Sequence, residues 1–287
     1  MKRQEGFIDV KGGKVWYEVV GNKKDTPLLV LHGGPGYPHD SLQNLEELAK
    51  NRPVIFYDQL GCGNSARPSD QSLWTVERFV DELQTIIKTL KLNKYHILGH
   101  SWGAGLGTAF ALTKPKGLVS LIFSSPYIST PQWEKDAKRL LKEMPKLMQK
   151  VLEKGDLDSE EYKKASTEFY YRFIYRMREF PTGVLKAEHK FNSEIYNLMW
   201  GPAEFKASGT LKNFDLIPKL SQIKVPALLL CGRFDEATPE STAYFQKLIP
   251  NSQMEVFEKS AHFPMWNEKE KYLKTIREFL ETVEKKT

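Results

Sequence analysis

A chain of 287 residues can bury a large core, and it fits one full-sized α/β domain with an insertion or two small domains. The composition, 40% hydrophobic and 27% charged, is ordinary for a soluble globular protein, and no apolar stretch approaches the length needed to span a membrane. The net charge of +6 comes from 42 basic and 36 acidic residues that are interspersed without a basic stripe, which argues against nucleic acid as a partner.

Short apolar runs rich in β-branched or aromatic residues alternate with helical patterns along the chain. The N-terminus before these runs contains charged residues but no apolar region of the kind that a signal peptide has, so we expect a cytoplasmic protein. The predicted strands cover residues 15–20, 28–31, 54–57, 95–98, 118–123, 227–230 and 254–257. Apolar residues at helical spacing predict a helix over 76–90, with Thr75 as its N-cap, and another over 272–283. The alternation predicts the α/β class, with a mostly parallel sheet covered by helices on both faces.

The alternation stops at about Ser129. From there to about Leu220 the sequence has helical spacing and many lysines and glutamates. A stretch this long is not a simple connection, so we predict a helical cap over residues 129–220 and a core domain built from residues 1–128 and 221–287. Strand alternation resumes at residues 223–226. We expect the aromatic side chains of the cap to pack its helices rather than to form a binding surface; they are Trp133, Phe169, Tyr170, Phe173 and Tyr175.

The residues around Ser101 have the pattern of a nucleophile elbow. Gly99-His100-Ser101-Trp102-Gly103 is a G-x-S-x-G sequence that follows a predicted strand and leads into a helix start. In such an elbow a strained turn exposes the serine hydroxyl at the top of the sheet, and small residues on either side let strand and helix pack closely. We therefore predict that Ser101 is a nucleophile.

A serine hydroxyl needs a base within hydrogen-bond reach and a third group that orients the base. Asp235 follows the predicted strand 227–230, and His262 follows the strand 254–257. The order Ser101, Asp235, His262 is the one expected for an α/β-hydrolase triad. Asp58 also follows a strand, but its glycine-rich loop precedes the nucleophile, and we interpret it as a turn that supports the site.

An oxyanion hole needs two preorganised backbone N–H donors, one of them from the residue after the nucleophile. Trp102 supplies that donor. The other is predicted at Gly34, in the loop Leu31-His32-Gly33-Gly34-Pro35-Gly36 after an early strand, where glycines let the backbone approach a substrate carbonyl. Pro35 fixes this loop without removing the donor on Gly34.

Five motifs together resemble the proline iminopeptidases, α/β-hydrolase aminopeptidases that include the tricorn-interacting aminopeptidase of archaea. The resemblance covers nearly the whole chain and is more specific than the fold. The motifs are His32-Gly33-Gly34-Pro35-Gly36, Asp58-Gln59-Leu60-Gly61-Cys62-Gly63-Asn64-Ser65, the elbow, Trp200-Gly201-Pro202-Ala203-Glu204-Phe205, and Asp235-Glu236-Ala237-Thr238-Pro239. One departure is Ala104, where the family usually has a second glycine.

The resemblance implies an α/β-hydrolase fold with an eight-stranded sheet, and it implies a role for Glu204 and Glu236. In that family a glutamate from the cap and a glutamate beside the triad acid hold the free α-amino group of the substrate. Carboxylates at close range would hold a protonated amine in a partly desolvated pocket. The expected activity is release of the N-terminal residue, proline or another, from short peptides or aminoacyl amides through an acyl-enzyme.

Other functions remain open at this point. A carboxylesterase or amino-acid amidase could use the same triad, since fold and triad do not choose a leaving group. A ligand-binding protein that keeps the fold without turnover is a further alternative, whereas a dehalogenase or epoxide hydrolase would need a carboxylate in place of Ser101.

The sequence gives no sign of a metal site, a cofactor or a disulfide. His96 and His100 straddle a strand and the elbow, and no second cluster of ligands accompanies them. We expect Cys62 and Cys231 to be reduced, because two cysteines are too few for a disulfide scaffold. The oligomeric state, including a monomer, is not determined by these patterns.

Overall fold

The computed structural model describes residues 1–21 and 25–286. In this part of the chain eight strands form one sheet in the order β1-β2-β4-β3-β5-β6-β7-β8. β1 and β2 pair antiparallel, as do β2 and β4, and the other neighbours are parallel. The strands are β1 Arg3–Val10, β2 Gly13–Val20, β3 Leu28–Leu31, β4 Val54–Tyr57, β5 Tyr95–His100, β6 Leu118–Ser124, β7 Ala227–Gly232 and β8 Ser252–Phe257. The predicted mostly parallel α/β sheet is confirmed.

The observed sheet contains one strand that was not predicted, and several other strands are longer than predicted, with β2 and β8 each beginning two residues earlier. β1 lies at the sheet edge and buries Ile8 alone among its side chains, so its sequence lacks a strong apolar pattern. β5, β6 and β7 each continue one or two residues past their apolar runs, because the backbone still pairs there, as His100 does with Ser124. Residues 223–226, where strand alternation was expected to resume, lie before β7, which begins at Ala227.

Ten α-helices surround this sheet within the described residues. They are α1 Val76–Thr89, α2 Trp102–Leu112, α3 Thr130–Leu141, α4 Lys146–Lys154, α5 Glu160–Tyr170, α6 Thr182–Lys190, α7 Ser193–Met199, α8 Pro239–Leu248, α9 Pro264–Asn267 and α10 Lys269–Glu284. The N-cap prediction is confirmed, since Thr75 Oγ1 accepts a hydrogen bond from Arg78 N at 3.2 Å. α10 begins three residues before the predicted start, in a charged turn that carries no apolar periodicity.

The sheet buries apolar side chains on both faces. In β3, Leu29 and Leu31 join one core cluster with side chains of α1 and α2, while Leu28 and Val30 join a second cluster with side chains of α10. The two faces alternate because successive side chains of a strand point in opposite directions. Burial on both faces explains why the inner strands have continuous apolar sequences.

The segment between β6 and β7 contains α3 to α7 and a π-helical turn at Tyr171–Tyr175. Several of its buried side chains, Leu140, Phe169 and Phe173 among them, belong to the same cluster as Leu228 and Leu230 of β7. The separation of the chain into a core domain and a cap domain stays a prediction. Among the helices of the described residues, none combines the length and apolar character that crossing a bilayer requires.

Candidate active site

β5 leads directly into a strained turn at Ser101. This residue has φ +54° and ψ −120°, a backbone conformation that residues with a side chain rarely adopt. A Cβ at Gly99 would overlap the carbonyl oxygen of Gly103, and a Cβ at Gly103 would overlap that of Leu31, so both positions require glycine. Ser101 N donates to the carbonyl oxygen of Ser124 at 2.9 Å, which ties the turn to the end of β6.

Asp235 and His262 meet although 27 positions separate them in sequence. His262 Nδ1 lies 2.7 Å from Asp235 Oδ1, and both residues are buried. The carboxylate also accepts hydrogen bonds from the backbone N–H groups of Gly232 and Ala237, at 3.2 and 2.8 Å. With the carboxylate as acceptor, Nδ1 of His262 carries a proton and Nε2 is free to act as a base.

Asp58 has different partners. Its carboxylate accepts hydrogen bonds from His39 N and Asn64 N, and Oδ1 lies 2.7 Å from His39 Nδ1. These bonds shape the loop that follows β4 and leave Asp58 without a bond to His262.

Ser101 and His262 line one cavity of about 250 Å³. Among the described residues no hydrogen bond joins the Ser101 hydroxyl to His262, and Nε2 of His262 lies 3.9 Å from Glu236 Oε1. Hydrogen bonds between a nucleophile and its base are often long without substrate and shorten when substrate binds. The arrangement is therefore compatible with base catalysis.

The loop after β3 lies against the elbow. A Cβ on Gly33 would stand 3.3 Å from Ser101 Cβ, and Gly34 has φ +105°, where a Cβ would meet Gly36 N at 2.5 Å. His32 Nε2 accepts a hydrogen bond from Gln59 N at 2.8 Å, so its Nδ1 carries the proton and donates to the carbonyl oxygen of Gly33 at 3.0 Å. That carbonyl and the Gly34 N–H belong to one peptide unit, so holding the carbonyl also orients the N–H.

Gln59 connects both segments of the predicted oxyanion hole. Its Nε2 donates to the carbonyl oxygen of His32 at 3.1 Å, and its Oε1 accepts from the Trp102 indole N–H at 2.9 Å. The side chain is buried, which strengthens the need for both bonds. Gln59 stands in one of the motifs, but its role could not be predicted, because spacing in the sequence does not show which backbone group a buried amide will contact.

Glu204 and Glu236 also line the cavity. Burial raises the pKa of both carboxyl groups, and the neighbouring charges of Glu204 and Asp235 raise the pKa of Glu236 further, to well above its usual range. The Tyr196 hydroxyl, which donates to Glu204 Oε2 at 2.5 Å, opposes the rise in the pKa of Glu204. Two enclosed carboxyl groups, of which Glu204 raises the pKa of Glu236, form a site that would bind a cation.

Residues that sequence analysis assigned to other roles also line this cavity. Tyr170 and Tyr175 are among them, so the expectation that the aromatic residues of residues 129–220 only pack helices is wrong for these two, whereas Trp133, Phe169 and Phe173 are buried. Tyr170 is the last residue of α5, and Tyr175 is the last residue of the π-helical turn at Tyr171–Tyr175, where side chains point in directions that a regular α-helix does not give.

Glu188 of α6 is the third carboxylate of the cavity, and Tyr37 lies beside it. Neither residue carried a signal in the sequence, because Glu188 stands in a charged helix that reads as solvated surface.

His32, Asp58 and Cys62 place one potential metal ligand each within 4.8 Å of one another. Hydrogen bonds already engage these atoms: His32 Nε2 accepts from Gln59 N, and both Asp58 oxygens accept from backbone N–H groups. Burial raises the pKa of the Cys62 thiol well above its usual range, which disfavours the thiolate that a metal needs. The cluster is better described as the hydrogen-bonded support of the loops around the elbow. Cys62 and Cys231 are both buried and free.

Comparisons with known proteins agree with this geometry. The family model for the alpha/beta hydrolase fold matches residues 26–269. A proline iminopeptidase of Heyndrickxia coagulans is 50% identical over 285 residues, which are 97% of this chain and 99% of the relative. The crystal structure of VinJ has a TM-score of 0.94 and 33% identity, covering 98% of this chain and 99% of that one. The proline iminopeptidase structure from Mycobacterium smegmatis has a TM-score of 0.91 and 32% identity, covering 98% of each chain. The chain belongs to the proline iminopeptidase family of α/β-hydrolases.

Proposed function

We propose that this chain is a serine aminopeptidase that releases the N-terminal residue, proline or another, from short peptides through an acyl-enzyme. The observation that carries the proposal is the composition of the cavity at Ser101. It is lined by three glutamates and, among the described residues, by no lysine or arginine. A serine nucleophile facing such a cavity suits a substrate that carries a positive charge close to the reacting carbonyl.

In the proposed mechanism the substrate ammonium group binds between Glu204 and Glu236. Its positive charge stabilises the ionised forms of both carboxyl groups and so offsets the effect of burial on their pKa values. A substrate with a blocked N-terminus would bring a neutral amide instead, which cannot stabilise the ionised carboxylates or form charged hydrogen bonds with them. Only the carbonyl of the first residue would then lie beside Ser101.

His262 Nε2 would take the proton of the Ser101 hydroxyl as Oγ attacks this carbonyl. The N–H groups of Gly34 and Trp102 would stabilise the oxyanion, and Asp235 would stabilise the imidazolium. His262 then gives its proton to the nitrogen of the leaving peptide, the C–N bond breaks, and water hydrolyses the aminoacyl ester on Ser101. His100 lines the same cavity, but burial lowers its pKa well below the usual range, so we assign it no proton transfer.

The anchor role is tested with Glu204→Gln and Glu236→Gln, each assayed on a free-amine aminoacyl arylamide and on a simple acyl ester. We expect kcat/KM on the arylamide to fall by about 10- to 150-fold, from the ~1.5–3 kcal/mol of a hydrogen bond to a charged group, and to stay nearly constant on the ester. Glu161→Gln removes an exposed carboxylate of α5 and serves as the control. An equal loss on both substrates would contradict the anchor role.

A fluorophosphonate probe separates an enzyme from a binding protein of the same fold. We expect the probe to label Ser101 and to lose its target in Ser101→Ala. Failure to label the intact protein would favour the binding protein, and better turnover of esters or blocked substrates would favour the esterase or amidase.

A further inference from the structure

Glu188 gives the cavity a carboxylate that neither the triad nor the amine anchor uses. Its Oε1 accepts hydrogen bonds from the hydroxyl groups of Tyr37, at 2.9 Å, and of Tyr175. Its Oε2 accepts none from the described residues, and no lysine or arginine among them forms an ion pair with it. The two tyrosines therefore fix the direction of a carboxylate that keeps a free oxygen.

Glu188 is the most exposed of the three glutamates that line the cavity. Glu236 is 5% exposed and the carboxyl group of Glu204 is enclosed, whereas Glu188 is an exposed residue. A peptide whose N-terminus is held by Glu204 and Glu236 would extend towards the exposed side of the cavity. Its residues beyond the scissile bond would then pass Glu188.

An aromatic wall runs from the base to this carboxylate. Phe263 follows His262 directly and stacks on the Tyr175 ring with centroids 5.3 Å apart and an interplanar angle of 10°. The Tyr37 ring meets Phe263 edge-on at 6.4 Å. Because His262 would protonate the leaving nitrogen, this wall begins at the second residue of the substrate and ends at the Tyr37 and Tyr175 hydroxyl groups on Glu188.

No lysine or arginine among the described residues lines the cavity and neutralises Glu188. The nearby Lys190 of the same helix pairs with Asp40 at 3.1 Å. Resting on the proposed function, we propose that Glu188 is a specificity-determining residue that favours a lysine or arginine side chain at the second residue of the substrate and disfavours an acidic one. The aliphatic part of such a side chain would lie on the aromatic wall while its charged end meets Glu188.

The test compares dipeptide amides that share one N-terminal residue and carry lysine, norleucine or glutamate at the second position. The amide cap removes the C-terminal carboxylate, and norleucine keeps the length of lysine without its charge. For the wild type we expect kcat/KM to be about fivefold higher with lysine than with norleucine and about fivefold lower with glutamate, as for a solvent-accessible ion pair. Both ratios should approach one in 0.5 M NaCl, because salt screens exposed charges.

In Glu188→Gln, which keeps an oxygen for both tyrosine hydroxyls, the three amides should be cleaved with kcat/KM values close to one another, so that both ratios to norleucine approach one. Glu161→Gln should keep the wild-type ratios. A wild type without a charge preference at the second residue, a preference that Glu188→Gln retains, or a preference found only at the first residue would each overturn the inference. Absence of turnover on every free-amine substrate would overturn the proposed function as well, so the two failures are distinguishable.

Discussion

Replacing Glu236 by glutamine should stabilise the fold at neutral pH while it lowers activity on free-amine substrates. Burial and the charges of Glu204 and Asp235 raise the pKa of Glu236 well above the value it has in an unfolded chain. The folded state therefore keeps a proton on this carboxyl group over a pH range in which the unfolded state has lost it. Stability in that range falls as pH rises, because the folded state binds more protons than the unfolded state.

The size of the effect follows from linkage. Each unit by which folding raises the pKa costs ~1.4 kcal/mol of unfolding free energy once the pH exceeds the folded pKa. For a chain of this size, each kcal/mol corresponds to about 2–4 °C in Tm. The difference in stability between Glu236→Gln and the wild type should be small near pH 4.5, the value of an ordinary glutamate, and should grow with pH until the folded pKa is passed.

The assay is denaturant unfolding of both proteins at several pH values between about 4 and 9. Taking the difference at each pH cancels the titration of groups that the substitution leaves unchanged. Glu161→Gln, an exposed substitution, should show no such rise. A variant less stable than the wild type at neutral pH, or a difference that does not grow with pH, would refute the account of Glu236 as a carboxyl group destabilised by its surroundings.

The other predictions concern the chemistry. Asp235→Asn should lower kcat by about four orders of magnitude, since the wrong imidazole tautomer would face Ser101. Circular dichroism should show that the variant is folded. A loss of kcat under tenfold would contradict the role of Asp235 in the triad. Gln59→Leu breaks the hydrogen bonds to His32 and Trp102 and should lower kcat by ~10- to 100-fold with little change in KM. The control Gln84→Leu, on the exposed face of α1, should leave kcat unchanged. A change in KM alone would exclude a role for Gln59 in positioning the oxyanion hole. As the pH is lowered, kcat/KM for free-amine substrates should begin to fall at a pH above the ordinary pKa of a glutamate, because the pKa values of Glu204 and Glu236 are raised. The kcat/KM for acyl esters should show no decline from the protonation of these two groups.

The sheet and the meeting of Asp235 with His262 could be predicted because both residues follow parallel strands. The carboxyl ends of such strands meet at one edge of the sheet, so residues far apart in sequence come together there. Motif spacing likewise identified the glycines of the elbow, whose close approaches exclude any side chain.

The remaining features depend on how separate segments pack, which local sequence does not show. Glu188 receives its hydrogen bonds from Tyr37 and Tyr175, which come from the loop after β3 and from a π-helical turn. Gln59 contacts the backbone of the loop after β3 and the side chain of the first residue of α2. No periodicity in the chain marks either arrangement.

The most direct test of the central claim compares kcat/KM of the wild-type protein on a free-amine prolyl or aminoacyl arylamide with kcat/KM on the same compound after N-acetylation. If Glu204 and Glu236 bind the substrate amine beside Ser101, the free-amine compound should be cleaved at least about 100-fold faster, because the acetylated compound cannot form charged hydrogen bonds with the two carboxyl groups. Equal or faster cleavage of the acetylated compound would contradict the aminopeptidase account.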